Sequence, residues 1–296
     1  MIKVSIIIVH YNTYDLTQKC VASIYQFTPS IFEIIIVNNS DIDKPIEELK
    51  NQFPEIQIVH PNENLGFAKG NNLGIQYANG EHILLLNSDT ELTVNCIEPA
   101  LKNLEENNKI GVVSIRLNYP NGNAQANCQS FPSITGEILE FTRLFKLLNR
   151  KWYAQKFQNS LLNLSESHFC DWVWGAFFLF RKNDLMKLKS QKLSDSYFMY
   201  GEDMEWCYQF KEIGLSCYYD SSLSIIHYVG QSEFGNDLKK NTVMIQNELT
   251  FIKKYKGSFY CFCLKILKGI KFRIQAFKTP ELKVISQLYF KLSAKK

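Results

Sequence analysis

Two carboxylates and one imidazole stand where a chain can present them for chemistry. Asp89 follows the apolar run His82 to Leu86 in HILLLNSDTEL, with Asn87 and Ser88 as polar neighbours. A carboxylate just past a buried strand projects into whatever cleft borders the sheet. One or two such groups plus phosphate oxygens are enough to hold Mg²⁺ or Mn²⁺ against a diphosphate. The competing structural reading makes Asp89 the cap of a helix beginning near Thr93. Glu202-Asp203 opens a segment in which Trp206, Cys207, Phe210 and Ile213 share one helical face and Gly214 supplies the stop. Acids at a helix start are stabilised by its dipole, which accounts for Glu202 without any function. Asp203 has the further reading of a general base that takes the proton of an attacking hydroxyl, kept ionised at neutral pH by a dipole-lowered pKa. His227, after Ser224-Ile225-Ile226, is either a satisfied structural histidine or the third corner of a metal–diphosphate site.

The stretch NLGFAKGNNLG at 64 to 74 spaces Gly66, Gly70 and Gly74 by four. It matches neither the GxGxxG dinucleotide fingerprint nor the P-loop, which argues against NAD-dependent and P-loop chemistry. Two readings stay open: close packing of a helix, or a helix start whose N–H groups and amides serve a nucleotide.

The scaffold that must position these groups is written in short apolar runs at Val4 to Val9, Glu33 to Val37, Ile56 to Val59 and His82 to Leu86. Asp15 is placed to cap a helix carrying Leu16, Cys20, Val21, Ile24 and Tyr25, ending before Pro29. Strand, helix, strand recurs three times, which predicts an α/β fold with a parallel sheet buried on both faces. Ligands of such sheets lie beyond the carboxyl ends of the strands. Those ends hold Tyr11-Asn12, Asn38-Asn39-Ser40-Asp41 and Asn87-Ser88-Asp89. After Gly111 the pattern predicts shorter strands, a turn at Asn121-Gly122 and a second apolar run from Trp172 to Phe180. Residues 236 to 296 predict helices.

Eight cysteines without a CxxC pair read as reduced thiols that fill the core. The N-terminus lacks the pattern of a signal peptide and no run reaches membrane-spanning length, so the expected location is cytoplasmic. From Lys253 onward there are twelve Lys or Arg and a single acid, Glu281. Such a basic, aromatic-rich tail is a solvated helix face, a nucleic-acid surface or a membrane-surface anchor.

Taken together, VSIIIVHYN at 4 to 12, IIIVNNSD at 34 to 41, ENLGFAKGNNLG at 63 to 74 and ILLLNSDTEL at 83 to 92 resemble the inverting family 2 glycosyltransferases, particularly a bacterial rhamnosyltransferase-like group. PNGNAQ at 120 to 125, DWVWGAFFLFRK at 171 to 182, FMYGEDMEWC at 198 to 207 and HYVGQS at 227 to 232 are similar to the same group's later motifs. The resemblance implies a GT-A fold: a mostly parallel nucleotide-binding sheet flanked by helices, an acceptor-side region and a basic helical C-terminal tail. The implied divisions are a catalytic domain at 1–235, with a donor half at 1–115 and an acceptor and base half at 116–235, and the tail at 236–296.

The implied reaction is hexosyl transfer with inversion, from a dTDP- or UDP-linked sugar, rhamnose by subgroup, to a glycan or lipid-linked glycan in surface polysaccharide synthesis. Tyr11, Asn12, Asn38, Asn39, Asp41, Gly66, Asn71, Asn87, Ser88 and Asp89 fall on donor-binding positions. Asp89 and His227 match the metal corner for Mg²⁺ or Mn²⁺, Asp203 the catalytic base, and Trp172, Gly175, Ala176 and Glu202 the acceptor side. Two departures stand out: Asn38-Asn39 replaces the usual Asp-Asn, and Asn87 replaces the first acid of a full DxD. They favour the alternative of a non-catalytic nucleotide-sugar-binding or scaffold subunit. A lipid-linked acceptor favours the membrane use of the tail over nucleic acid, peripheral at the inner face, with Phe259, Tyr260, Phe262 and Leu264 expected to insert. A nucleotidyltransferase would need a Gly-rich basic loop after the first strand, and HYNTYD is not one.

Overall fold

The computed structural model describes residues 3–29, 31–40, 46–157, 164–229 and 237–295. They divide into two compact units: Met1–Gln129 with Asn163–Phe198 and Glu202–Ser232, and Ser130–Leu162 with Met199–Gly201 and Glu233–Lys296.

The first unit is built on a mixed sheet. Its parallel part joins β1 (Val4–His10), β2 (Phe32–Asn38), β3 (Gln57–Val59) and β4 (His82–Leu86), in the order β3-β2-β1-β4. Ile6, Ile7 and Ile8 are fully buried, as β-branched residues covered on both faces should be. The register pairs His10 with Asn38, so the polar residues that end each strand finish side by side. The helices α1 (Tyr14–Phe27), α2 (Leu49–Gln52), α3 (Gly66–Tyr77) and α4 (Ile97–Glu106) lie between and after these strands. A Cβ at Gly74 would come within 2.5 Å of an Ile7 methyl, so this glycine lets α3 approach β1. Helix packing is therefore one use of the four-residue glycine spacing.

Beyond β4 the sheet departs from a parallel array. It continues through β5 (Thr90–Leu92), β6 (Ile110–Asn118), β8 (His168–Cys170), β10 (Phe177–Arg181) and β11 (Ser216–His227), while β7 (Cys128–Gln129) and β9 (Trp172–Val173) form a separate ladder. β10 runs antiparallel to β4 and β6, β11 parallel to β6 and antiparallel to β5 and β8.

Several expectations need correction. The later strands are the longest, nine residues in β6 and twelve in β11. The strand β11 continues through an irregularity at Asp220-Ser221-Ser222. It does so because the buried Asp220 carboxylate accepts from Asn103, Ser167 and the Ser222 N–H. The run Trp172 to Phe180 is interrupted at Trp174-Gly175-Ala176, where Trp174 N–H donates to the Asn127 carbonyl. The cap of α1 is Thr13, and Asp15 lies exposed in the first turn. The turn at Asn121-Gly122 and the stop at Gly214 both form, each glycine having a positive φ.

The second unit contains α5 (Ile134–Phe141), α6 (Arg150–Phe157), α8 (Asp237–Lys256), α9 (Ser258–Gln275) and α10 (Leu282–Lys291); α7 (Glu202–Glu212) belongs to the first. Buried Lys271 and largely covered Lys268 make ion pairs with Glu137, Glu140 and Glu248, and the Tyr289 hydroxyl donates to Glu248 at 2.5 Å. Leu264 is fully buried and the Tyr260 hydroxyl accepts from the Ile134 N–H, which removes both from the expected inserting set. Phe259 and Phe262 are exposed, as is Phe277 at 87%. Among the described residues, no helix is long and apolar enough to cross a membrane. The cysteines are free thiols; burial pushes Cys20, Cys96 and Cys128 up to about 12, in keeping with inert core filler.

Candidate active site

The carboxyl ends of β1, β2 and β4 and the last residue of β11 gather the polar residues of the first unit. β4 ends at Leu86, and the Asn87 N–H then donates to the Ala176 carbonyl at 3.1 Å. The chain turns straight into β5, and α4 begins only at Ile97, so Asp89 caps no helix. β5 pairs with β11 so that Thr90 faces His227, and the Tyr228 N–H donates to the Asp89 carbonyl. This brackets the two predicted metal ligands: His227 Nε2 lies 3.4 Å from Asp89 Oδ1, both side chains less than 10% exposed.

Asn87 Nδ2 is also 3.4 Å from His227 Nε2, while its Oδ1 is buried with no hydrogen-bond partner. A buried acceptor left unpaired costs roughly 1–3 kcal/mol unless a cation or a donor meets it. Asp89, His227 and this orphaned oxygen therefore suit a divalent cation. No cluster of three or more His, Cys, Asp or Glu suited to a metal occurs among the described residues. Asp89 and His227 would hold such an ion only with other ligands, and diphosphate oxygens are the natural completion.

Asp203 stands in the first turn of α7, partly exposed. The helix is anchored behind it by fully buried Trp206, which donates to the Ser194 carbonyl and stacks on Phe67. The Asp203 carboxylate accepts from the N–H groups of Met204 and Gly175. These bonds favour the charged form, yet loss of water around the carboxylate outweighs them and pushes its pKa up to about 6. That reverses the expected dipole-lowered value: desolvation dominates. Glu202 is buried, and desolvation followed by the charge of Asp203 holds it well above the usual carboxylate range. Its Oε2 has no hydrogen-bond partner. Gly175 and Ala176 thus join the two corners, one touching Asp203 and the next touching Asn87.

Beyond β1 and β2, Asn12 has a positive φ of 52° and its N–H donates to Ser40 Oγ, beside partly exposed Tyr11. Asn38 Oδ1 accepts from the Ser40 N–H, and its Nδ2 lies 3.5 Å from His60 Nδ1. Asp41 lies outside the described residues. Asn39 spends its amide on the carbonyl of Gly66 and the N–H of Leu65, and Asn71 donates to the Phe67 carbonyl. Both are buried; Asn39 ties down the entry to α3, and Asn71 bonds within that helix. Gly66 has φ +70°, and a Cβ there would overlap the Phe198 carbonyl oxygen. Ser88 pairs with Thr13, and buried His10 with Thr17. Trp172 is partly exposed in β9. Gln125, His60 and Thr13 escaped the site residues drawn from the sequence; Gln125 had a signal, as the last residue of PNGNAQ.

A family model described as "Glycosyl transferase family 2" matches residues 5–188. The chain is 26% identical over 162 residues to glycosyltransferase GlyG of Streptococcus pneumoniae, covering 53% of this chain and 52% of that protein. Among solved structures, GalNAc-T7 with UDP, GalNAc and Mn²⁺ aligns with a TM-score of 0.66 and 16% identity, over 99% of this chain and 56% of that one. Mannosyltransferase PcManGT from Pyrobaculum calidifontis, in complex with GDP-Man and Mn²⁺, aligns at 0.56 and 13% identity, over 97% and 73%. The chain spans about half the length of the pneumococcal relative and of GalNAc-T7. The two structures show that the fold is GT-A-like, a mixed curled sheet flanked by helices.

Proposed function

The chain belongs to glycosyl transferase family 2, and on that premise we propose that it transfers a hexose from a nucleoside diphosphate sugar to a glycan or lipid-linked glycan, with inversion. One observation carries this reading. The backbone of Gly175-Ala176 bonds both the Asp203 carboxylate and the Asn87-Ser88-Asp89 turn, bringing a base with pKa about 6 to an edge rich in buried acceptors. The Asp203 carboxylate takes the hydroxyl proton of the acceptor as that oxygen attacks the anomeric carbon. The bond from that carbon to the diphosphate breaks, and a single displacement inverts the configuration. Mg²⁺ or Mn²⁺ between Asp89 and His227 would neutralise the departing diphosphate.

Asn12, Asn38 and Tyr11 form the base and ribose side, with dTDP or UDP as the expected nucleotide and rhamnose as the expected sugar. A role in surface polysaccharide synthesis follows from the motif resemblance. Thermal-shift titrations with dTDP, UDP, GDP and their sugars, with and without Mn²⁺, followed by a transfer assay, test the reading. A metal-dependent shift with one nucleotide and turnover of its sugar supports it; binding without turnover on any acceptor points to the scaffold alternative.

The tail serves as a surface contact with anionic membrane. Phe259, Phe262 and Phe277 are exposed, as are Lys253, Lys254, Arg273 and Lys278. Each cation near an anionic leaflet contributes about 1 kcal/mol, enough in combination for reversible attachment. Vesicle flotation checks this: replacing the three phenylalanines by alanine should release protein from anionic vesicles, and unchanged flotation overturns it.

A further inference from the structure

The sequence quotes Gln125 only as the end of a motif, yet the structure puts it at 1% exposure against the residue that faces Asp89. Its N–H donates to the Leu117 carbonyl, which fixes the backbone beside the end of β6. Its side chain meets one residue twice. Nε2 donates to the main-chain carbonyl of His227 at 2.8 Å, and Oε1 lies 2.8 Å from His227 Nδ1.

These contacts determine where the ring proton sits. A carbonyl oxygen only accepts, so the amide nitrogen must face it and the amide oxygen must face the ring. That oxygen also only accepts, so His227 Nδ1 must carry the hydrogen. In the neutral ring Nε2 then holds a lone pair, with Asp89 Oδ1 and Asn87 Nδ2 each 3.4 Å away. The Asn87 amide is the one donor beside this lone pair, and Asp89 Oδ1 is a second acceptor that only a cation could share with it. A ring with its proton on Nε2 would instead donate to Asp89 and leave no nitrogen ligand.

We propose that Gln125 is a positioning residue that holds His227 in the Nδ1–H form and aims its Nε2 lone pair at a divalent cation shared with Asp89. The inference rests on the metal reading above. Partners of this kind, bonding the far nitrogen of a ligating histidine, typically contribute 10- to 100-fold in metal affinity. A residue that only tied the end of β11 to the 117–125 turn would need the bond to the His227 carbonyl alone.

Two measurements on the full chain decide it. In metal-free protein, ¹⁵N chemical shifts of the His227 ring should show a protonated Nδ1 and an unprotonated Nε2; the opposite tautomer overturns the proposal. In titrations with Mn²⁺ alone, read by the electron paramagnetic resonance of the free ion, Gln125→Leu should weaken binding about 10- to 100-fold. Gln125→Glu keeps an oxygen for the Nδ1 proton but loses the bond to the carbonyl, and it should stay within a few-fold of the parent. If Glu weakens binding as much as Leu, the carbonyl tie is what matters and the proposal fails. Should Gln125→Leu not fold, the ring shifts and the Glu variant still decide. Parent-like affinity in Asp89→Ala would overturn the metal assignment itself. Parent-like affinity in Gln125→Leu beside a weakened Asp89→Ala would overturn only the role of Gln125.

Discussion

Each unit of the chain buries a cluster of charged and polar groups, and the two clusters are balanced differently. In the helical unit Lys268 and Lys271 meet Glu137, Glu140 and Glu248, and Tyr289 donates a further hydrogen bond. The attraction of Glu248 and Glu137 holds the Lys268 ammonium well above its ordinary pKa despite burial. At the sheet edge the balance is missing. Asp89 Oδ1 faces His227 Nε2, and Asn87 Oδ1 and Glu202 Oε2 have no hydrogen-bond partner. A matched network is complete by itself and holds a fold in place. A surplus of buried acceptors is costly until a cation, proton or hydroxyl arrives, which is how a site differs from a staple.

The sharpest way to break this comparison is at the base. Asp203→Asn should lower turnover by about 10²- to 10⁴-fold while leaving nucleotide affinity unchanged, measured by transfer assay and titration. Undiminished turnover would remove Asp203 from the chemistry. Glu137→Ala, which strips the matched cluster of a shared partner, should destabilise the protein by about 3 kcal/mol in denaturant unfolding and leave Mn²⁺ affinity intact. A large loss of Mn²⁺ affinity there would erase the distinction between the two clusters. Asp89→Ala should behave in the opposite way. Mn²⁺ and nucleotide should stabilise the parent by about 2.7 kcal/mol at a hundred times the dissociation constant, and in this variant that gain should vanish while the ligand-free melting temperature holds or rises.

The smallest effect concerns pH. Burial raises the Asp203 pKa to about 6, so the carboxylate is protonated below that value and free, as the proposed base must be, above it. The transfer rate should therefore climb as pH rises, be half-maximal near 6 and level off by about 8. A rate already flat at pH 5 would mean that the carboxylate keeps an ordinary value.

Much of this arrangement was legible before any coordinates. The isoleucine run of β1 and the leucine run of β4 announce buried strands, and each ends in polar residues that the parallel register brings together. Trp206, Cys207 and Phe210 fall on the buried face that their spacing predicts, and Gly214 stops that helix. The failures share a cause. The short strands expected after Gly111 give way to the twelve-residue β11, which passes through Asp220-Ser221-Ser222 because partners from distant segments satisfy them, and Leu264 is buried because its helix packs inside the second unit.

The sequence by itself marked β1, β2, β4, α1 and α7 as strands and helices, and it placed Asp89, Asp203 and His227 at or just beyond the ends of such elements. Those properties depend on period and on the neighbours within one turn or one strand, which a linear chain displays. Only the tertiary structure decided that Asp203 titrates high instead of low, since desolvation depends on what packs around the carboxylate. It also decided which nitrogen of His227 carries the proton, because the group that decides, Gln125, is 102 positions away in the chain and 2.8 Å away in space.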